Sequence, residues 1–146
     1  MRGLRWVQLS EDERDEFLGT GGTGVLSFGT GVEEPPSALP VSYGYSAATE
    51  GFYFRLSSPP GSDKEAITDR MVSFVTYDET DEGWRSVVAT GRLGRIRDLP
   101  YDSTAVQGMW AIEIPTVDMF DRPPSEVEFD EYCLEPDTIT GRKEVR

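Results

Sequence analysis

Apolar and polar residues alternate with a period of two over most of this chain, and only three short stretches carry the signals of a helix. In Leu39–Tyr45, reading LPVSYGY, Val41, Tyr43 and Tyr45 share one face of an extended strand while Pro40, Ser42 and Gly44 share the other. One face is bulky and the other nearly bare. A bare face with a glycine in it lets a flat ring or another backbone come close. Phe52, Phe54 and Leu56 then alternate with Tyr53, Arg55 and Ser57, so an apolar row is backed by a polar row carrying a cation. The link Ala47–Gly51 between these strands suits a hairpin of medium length.

The same reading places a strand around Gly24–Phe28, followed by a turn over Gly29–Ser37 that leads into the Pro40 strand. Met71–Tyr77, MVSFVTY, is apolar on both faces and is expected to be central and buried. After an acidic turn over Asp78–Gly83, the pattern Trp84–Ile96 sets Val87, Ala89, Gly91 and Leu93 against Trp84, Ser86, Val88 and Thr90. Its length predicts a bend at Gly91 or Gly94. Trp110, Ile112 and Ile114 predict another strand, Asp118–Ser125 is irregular, Val127–Leu134 is expected as the last strand, and Glu135–Arg146 as a polar tail.

Helices are predicted at three places. Ser10 with Glu13 opens a short one that stops at Gly19, and Pro100 with Asp102 starts another that runs to about Gln107. The third follows the turn Ser57–Ser62, where Ser62 and Glu65 fit a capping box and a helix runs from Asp63 to about Arg70. Its free backbone N–H groups, beside serine hydroxyls and Lys64, suit a phosphate. Six or seven strands with short turns and few helices argue for one domain, a closed or partly closed antiparallel barrel.

Composition narrows what such a barrel does. A net charge of −13, with 27 acidic against 14 basic residues, argues against nucleic acid and anionic membrane as partners. Lys64 and Lys143 are the only lysines, and an acid-rich, lysine-poor surface resembles that of proteins from extreme halophiles. With no histidine there is no Ser-His-Asp triad, no histidine metal site and no histidine-ligated haem. The single cysteine, Cys133, lies in a strand pattern and reads as a small buried hydrophobe. Asp78, Glu79, Asp81 and Glu82 lack EF-hand spacing and read as a solvated turn. No long apolar run and no leader are seen, so a cytoplasmic location is expected.

Taken in order, GTGVLSF (Gly22 to Phe28), LPVSYGY (Leu39 to Tyr45), FYFRLSS (Phe52 to Ser58), Lys64, VSFVTYD (Val72 to Asp78), WRSVVATGRL (Trp84 to Leu93) and ITGRK (Ile139 to Lys143) resemble the FMN-binding split barrel of the pyridoxamine 5'-phosphate oxidase-like superfamily, in its small nitroimidazole-resistance-like branch. The resemblance implies a homodimer holding two FMN molecules in the clefts between subunits. It implies that Pro40, Val41, Ser42 and Tyr43 lie along the isoalloxazine and that Arg55, Ser57, Ser58 and Lys64 hold the phosphate. Trp84, Arg85 and Ser86 would close the site from the partner subunit, with Arg142 and Lys143 a weaker match. The implied activity is that of an FMN-dependent oxidoreductase acting on a small molecule. A flavin-binding or sensor protein without turnover, and a deazaflavin-dependent reductase on the same barrel, are the alternatives. The missing histidine departs from many relatives and argues against a reaction that needs an imidazole acid or base. Tyr43, Ser42 or water would then serve as proton donor.

Overall fold

The computed structural model describes residues 5–57, 70–109 and 129–145. Seven antiparallel strands are present there: β1 (Arg5–Gln8), β2 (Gly21–Phe28), β3 (Ser37–Ser46), β4 (Gly51–Ser57), β5 (Met71–Thr80), β6 (Gly83–Arg95) and β7 (Phe129–Val145). In the order β7-β4-β3-β2-β5-β6 they close into a six-stranded barrel through a β6–β7 pairing, and β1 is added beside the end of β7. Helix α1 (Glu11–Leu18) follows β1, and α2 (Thr104–Met109) follows a single 3-10 turn at Ile96–Asp98. No helix among the described residues is long and apolar enough to cross a membrane. The antiparallel barrel expected from the strand pattern is therefore the one observed.

Alternation decides which residues form the core. Val41, Tyr43 and Tyr45 of β3, Phe52 and Phe54 of β4, Phe74 of β5, Val87, Ala89 and Leu93 of β6 and Leu134 of β7 all point inward and are buried. Phe74 sits at the centre, its ring 5.1 Å from that of Tyr43, 5.4 Å from Phe52 and 5.0 Å from Phe54. Tilted and edge-to-face contacts of this kind add to what burial of the rings already contributes. Gly24 of β2 is the fitted piece: a Cβ there would stand 2.5 Å from the Val75 carbonyl oxygen and 2.6 Å from the Phe74 ring.

The two helices close the barrel by different means. α1 has Ser10 at its N-cap, and a full capping box: the Glu13 N–H donates to Ser10 Oγ, and the Ser10 N–H donates to Glu13 Oε1. Its sequence EDERDEFL offers few apolar residues, with Leu18 buried and Phe17 packed against the core. Charge does the rest. Lys143 Nζ donates to Glu13 Oε2 at 2.5 Å, Arg85 lies 3.9 Å from the same oxygen, and buried Arg14 pairs with Asp15 and Glu50. Two core phenols also reach this helix, Tyr43 donating to the Leu18 carbonyl and Tyr45 to Asp15. α2 instead packs flat on the outside of β4 and β7, where Tyr53 donates to the Ala105 carbonyl and Cys133 lies beneath. Burial pushes the Cys133 thiol up to about 12, which leaves it un-ionised and unreactive at neutral pH.

The structure corrects the sequence reading at four points. Glu135 onward is not a tail, because β7 continues to Val145, paired with β6 and then also with β1. Its second half looks polar because its inward positions supply only Ile139 and Gly141 to apolar packing, Gly141 lying against Leu9. β1 itself was not foreseen, since all four of its residues are exposed and show no alternation. β5 is central but buried on one face only: Val72, Phe74 and Thr76 point inward, while Met71 and Tyr77 are exposed. The acidic turn shrinks to Asp81 and Glu82, with Gly83 at φ 109° where an L side chain would be strained. The bend in β6 is found where expected. Thr90 pairs with Thr138 but Gly91 pairs with Pro136, so Asp137 is an extra residue in β7, a β-bulge. The helix expected from Asp63, and the strand expected at Trp110–Ile114, lie outside the described residues.

Two outcomes follow from this packing. Gly24→Ala is expected to destabilise the fold by about 1–3 kcal/mol, because carbonyl and ring must both move; the urea midpoint measures it. Glu13, held down to about 2 chiefly by Lys143 and then by the Ser10 N–H, has its ordinary value of 4.5 when unfolded. A depressed carboxylate stabilises above its unfolded pKa and loses that contribution as pH falls through its folded one. Thermal unfolding of the wild type and Glu13→Gln is therefore expected to differ by a constant amount above about pH 5, the gap closing between pH 4.5 and about 2.

Candidate functional site

With the rings turned inward, the opposite side chains of β2, β3, β5, β6 and β7 make the outward surface. The register lines them up across the strands. Pro40 pairs with Val25, Val25 with Val75, Val75 with Val88 and Val88 with Thr140, an apolar strip five strands wide. Beside it runs a strip of small residues, in which Ala38 pairs with Ser27, Ser27 with Ser73, Ser73 with Thr90 and Thr90 with Thr138. On the other side Thr23 pairs with Ser42, Tyr77 with Ser86 and Ser86 with Arg142. The surface is smooth, partly apolar and edged with hydroxyls.

Pro40 and Ser42 stand on this surface as the sequence reading placed them. Ser42 Oγ is buried and has no hydrogen-bond partner among the described residues. An orphaned hydroxyl costs free energy unless something binds it, so it marks a place where a polar ligand edge fits. Val41 and Tyr43 face the other way, into the core, at 7 % and 3 % exposure. Only their backbones reach the outward side, and burial pushes the Tyr43 phenol up, so this hydroxyl is a structural donor to Leu18 and not a proton source for the surface.

Arg55 points outward from β4. It lies one position beyond the Tyr43–Phe54 pair, at which the β3–β4 ladder ends. Its guanidinium makes an exposed ion pair with Glu131 at 3.2 Å, a contact weak enough in water to be exchanged for a ligand anion. Ser57 ends β4 opposite Phe129, and Ser58 and Lys64 lie outside the described residues. The strand that carries Arg55 is thus followed directly in sequence by the serine-rich segment 58–62.

Trp84 and Ser86 share the outward face of β6, and Arg85 does not. Arg85 has the parity of Val87 and turns to the α1 end of the barrel, where it bonds Glu82 at 2.6 Å and approaches Glu13. It lines a cleft of about 460 Å³ at the β5–β6 tip together with Glu79, Asp81, Glu82, Lys143 and Glu144. The expected trio is therefore divided between two faces. Lys143 is likewise taken up by Glu13, while Arg142 is exposed on the outward side. Four residues that the alternation alone did not single out join the surface: Thr23, Val25, Val75 and Tyr77. Pairing in register is what reveals them, and a single strand read alone does not contain that information. No group of three or more acidic or cysteine side chains able to hold a metal is found among the described residues.

Comparison with known proteins agrees with this geometry. The sequence pattern of the pyridoxamine 5'-phosphate oxidase family matches residues 10–143. No curated protein matches the chain. Among solved structures, the FAD binding protein from Mycobacterium smegmatis is similar, with 18 % identity, a TM-score of 0.65, and coverage of 95 % of this chain and 99 % of that one. A FAD-binding protein from Mesorhizobium loti is 18 % identical at TM-score 0.60, covering 99 % and 100 %. A candidate 5-nitroimidazole antibiotic resistance protein from Bacteroides thetaiotaomicron is 15 % identical at TM-score 0.59, covering 98 % and 90 %. At such identities these structures speak for the fold, and the match over residues 10–143 speaks for descent: the chain belongs to the pyridoxamine 5'-phosphate oxidase family, with its flavin-binding split barrel.

Proposed function

We propose that this protein is a cytoplasmic FMN-binding oxidoreductase that works as a homodimer on a small molecule. One observation carries the reading: the Ser42 hydroxyl, without a partner, stands at the rim of a flat surface that begins with Pro40 and Val25. A planar ring laid along β3 would cover the apolar strip and offer its polar edge to Ser42 and to backbone groups of Val41 and Tyr43. Arg55, Ser57, Ser58 and Lys64 would hold the phosphate, Arg55 releasing Glu131 to do so. Trp84 and Ser86 of a second copy would close the site, and the outward strip, with Val25 exposed and Val75 and Val88 half-buried, supports such a pairing, since apolar patches that reach water are commonly covered. Arg85, engaged with Glu82 and Glu13, would contribute by holding β6 in place. FMN supplies hydride and electron transfer when bound, and the chain supplies binding, orientation and exclusion of water. Two of the similar structures are named as FAD-binding, which favours the dinucleotide form of flavin as the second reading.

The absorbance spectrum of the purified protein and the mass of the chromophore released by denaturation test this directly. A flavin spectrum with the mass of FMN is expected; the mass of FAD would select the second reading, and a colourless protein that takes up neither would remove both. Light scattering is expected to give twice the chain mass. Ser42→Val is expected to weaken FMN binding by about 0.5–1.5 kcal/mol, the worth of one neutral hydrogen bond, and Lys64→Ala by about 1–3 kcal/mol. Anaerobic NADH or NADPH is expected to bleach the bound flavin, and an unchanged spectrum would leave a binder without turnover.

A further inference from the structure

On the outward side of the β5–β6–β7 ladder an exposed cation shares a face with two exposed rings. Arg14, Arg55, Arg85, Arg95, Arg97 and Lys143 each pair with an aspartate or glutamate. Arg142 is exposed and has no such partner among the described residues. Ser86 pairs with Arg142 on one side and with Tyr77 on the other, so Tyr77, Ser86 and Arg142 form a line across three strands. At ordinary strand spacing the two ends of that line are about 10 Å apart. The Tyr77 ring lies 6.2 Å from that of Trp84, tilted by 40°, and the two residues are 64 % and 38 % exposed.

We propose that this patch binds a planar aromatic anion. The rings of Tyr77 and Trp84 take the aromatic part by stacking, and the Arg142 fork takes the carboxylate, with the Ser86 hydroxyl as a further donor. The span fits one six-membered ring bearing one acidic group. Glu79, which pairs with Trp84 and follows Tyr77 on the same face, sets the limit in the other direction by repelling a ligand with a second negative charge. The patch thus selects a compact monoanion over a nucleotide. Calling it the position of the second reactant rests on the flavin reading above; binding of the anion does not.

The test uses 4-nitrobenzoate and its uncharged isostere 4-nitrobenzamide, measured by equilibrium dialysis with the protein as purified and after saturation with FMN. The benzoate is expected to bind at least about tenfold more tightly than the amide, as a charge-assisted bidentate contact allows. Arg142→Gln, an exposed substitution, is expected to erase that preference and leave amide binding unchanged, whereas Tyr77→Leu is expected to weaken both ligands alike. Absence of a benzoate preference, or its survival in Arg142→Gln, would overturn the proposal. Displacement of benzoate by FMN would also overturn it, by giving the patch to the flavin. If no FMN is taken up while the benzoate preference holds, the flavin reading fails and the anion site stands.

Discussion

The structure depends on the pairing of β6 with β7, which closes the sheet on itself. Without it the order β7-β4-β3-β2-β5-β6 would be an open ribbon with two edges, and the aromatic rings of β3, β4 and β5 would have no opposite wall. Closure forces every inward position to be filled, and Phe74, Tyr43, Phe52 and Phe54 fill them. It also fixes the outside. Because side chains alternate, a strand whose bulky residues are committed to the core has no choice about which residues it shows to solvent. The smooth strip from Pro40 to Thr140 is the complement of the aromatic core.

This coupling explains why much of the outward face is legible in the sequence. LPVSYGY announces its two faces in the sequence, and alternation alone puts Pro40 and Ser42 on the bare one, opposite the inward Val41 and Tyr43. FYFRLS places Arg55 in the same way. What alternation cannot supply is the neighbour across the ladder. Val25 and Val75 are ordinary apolar residues until the register sets them in one row, and Tyr77 lies in a strand whose sequence reads as apolar on both faces. The family resemblance groups Trp84, Arg85 and Ser86, although consecutive strand residues point to opposite sides. Ion pairing then decided the fate of Arg85, drawn to Glu82 and Glu13 at the α1 end.

The same distinction separates the two helices. α1 is readable from its capping box, a local signal, yet its sequence gives no hint that Glu13 meets Lys143 and Arg85 from strands some seventy or more positions away. The sequence understates the length of β7 for a related reason. A segment held chiefly by backbone pairing to two neighbours needs little apolar side-chain area, so hydropathy underestimates it. β1 is the extreme case, four exposed residues kept in place by the ladder to β7.

The extra residue at Asp137 sets the face on which the end of β7 presents its charge. Up to Pro136 the even-numbered positions of β7 pair with inward residues of β6, and beyond it the odd-numbered ones do. Loss of that single codon would exchange the two sets, burying the guanidinium of Arg142 and turning Gly141 and Lys143 to solvent. A length change of one amino acid, far from any ligand, is thus a route by which descendants of this barrel would gain or lose a binding polarity in one step, with no substitution in the patch itself.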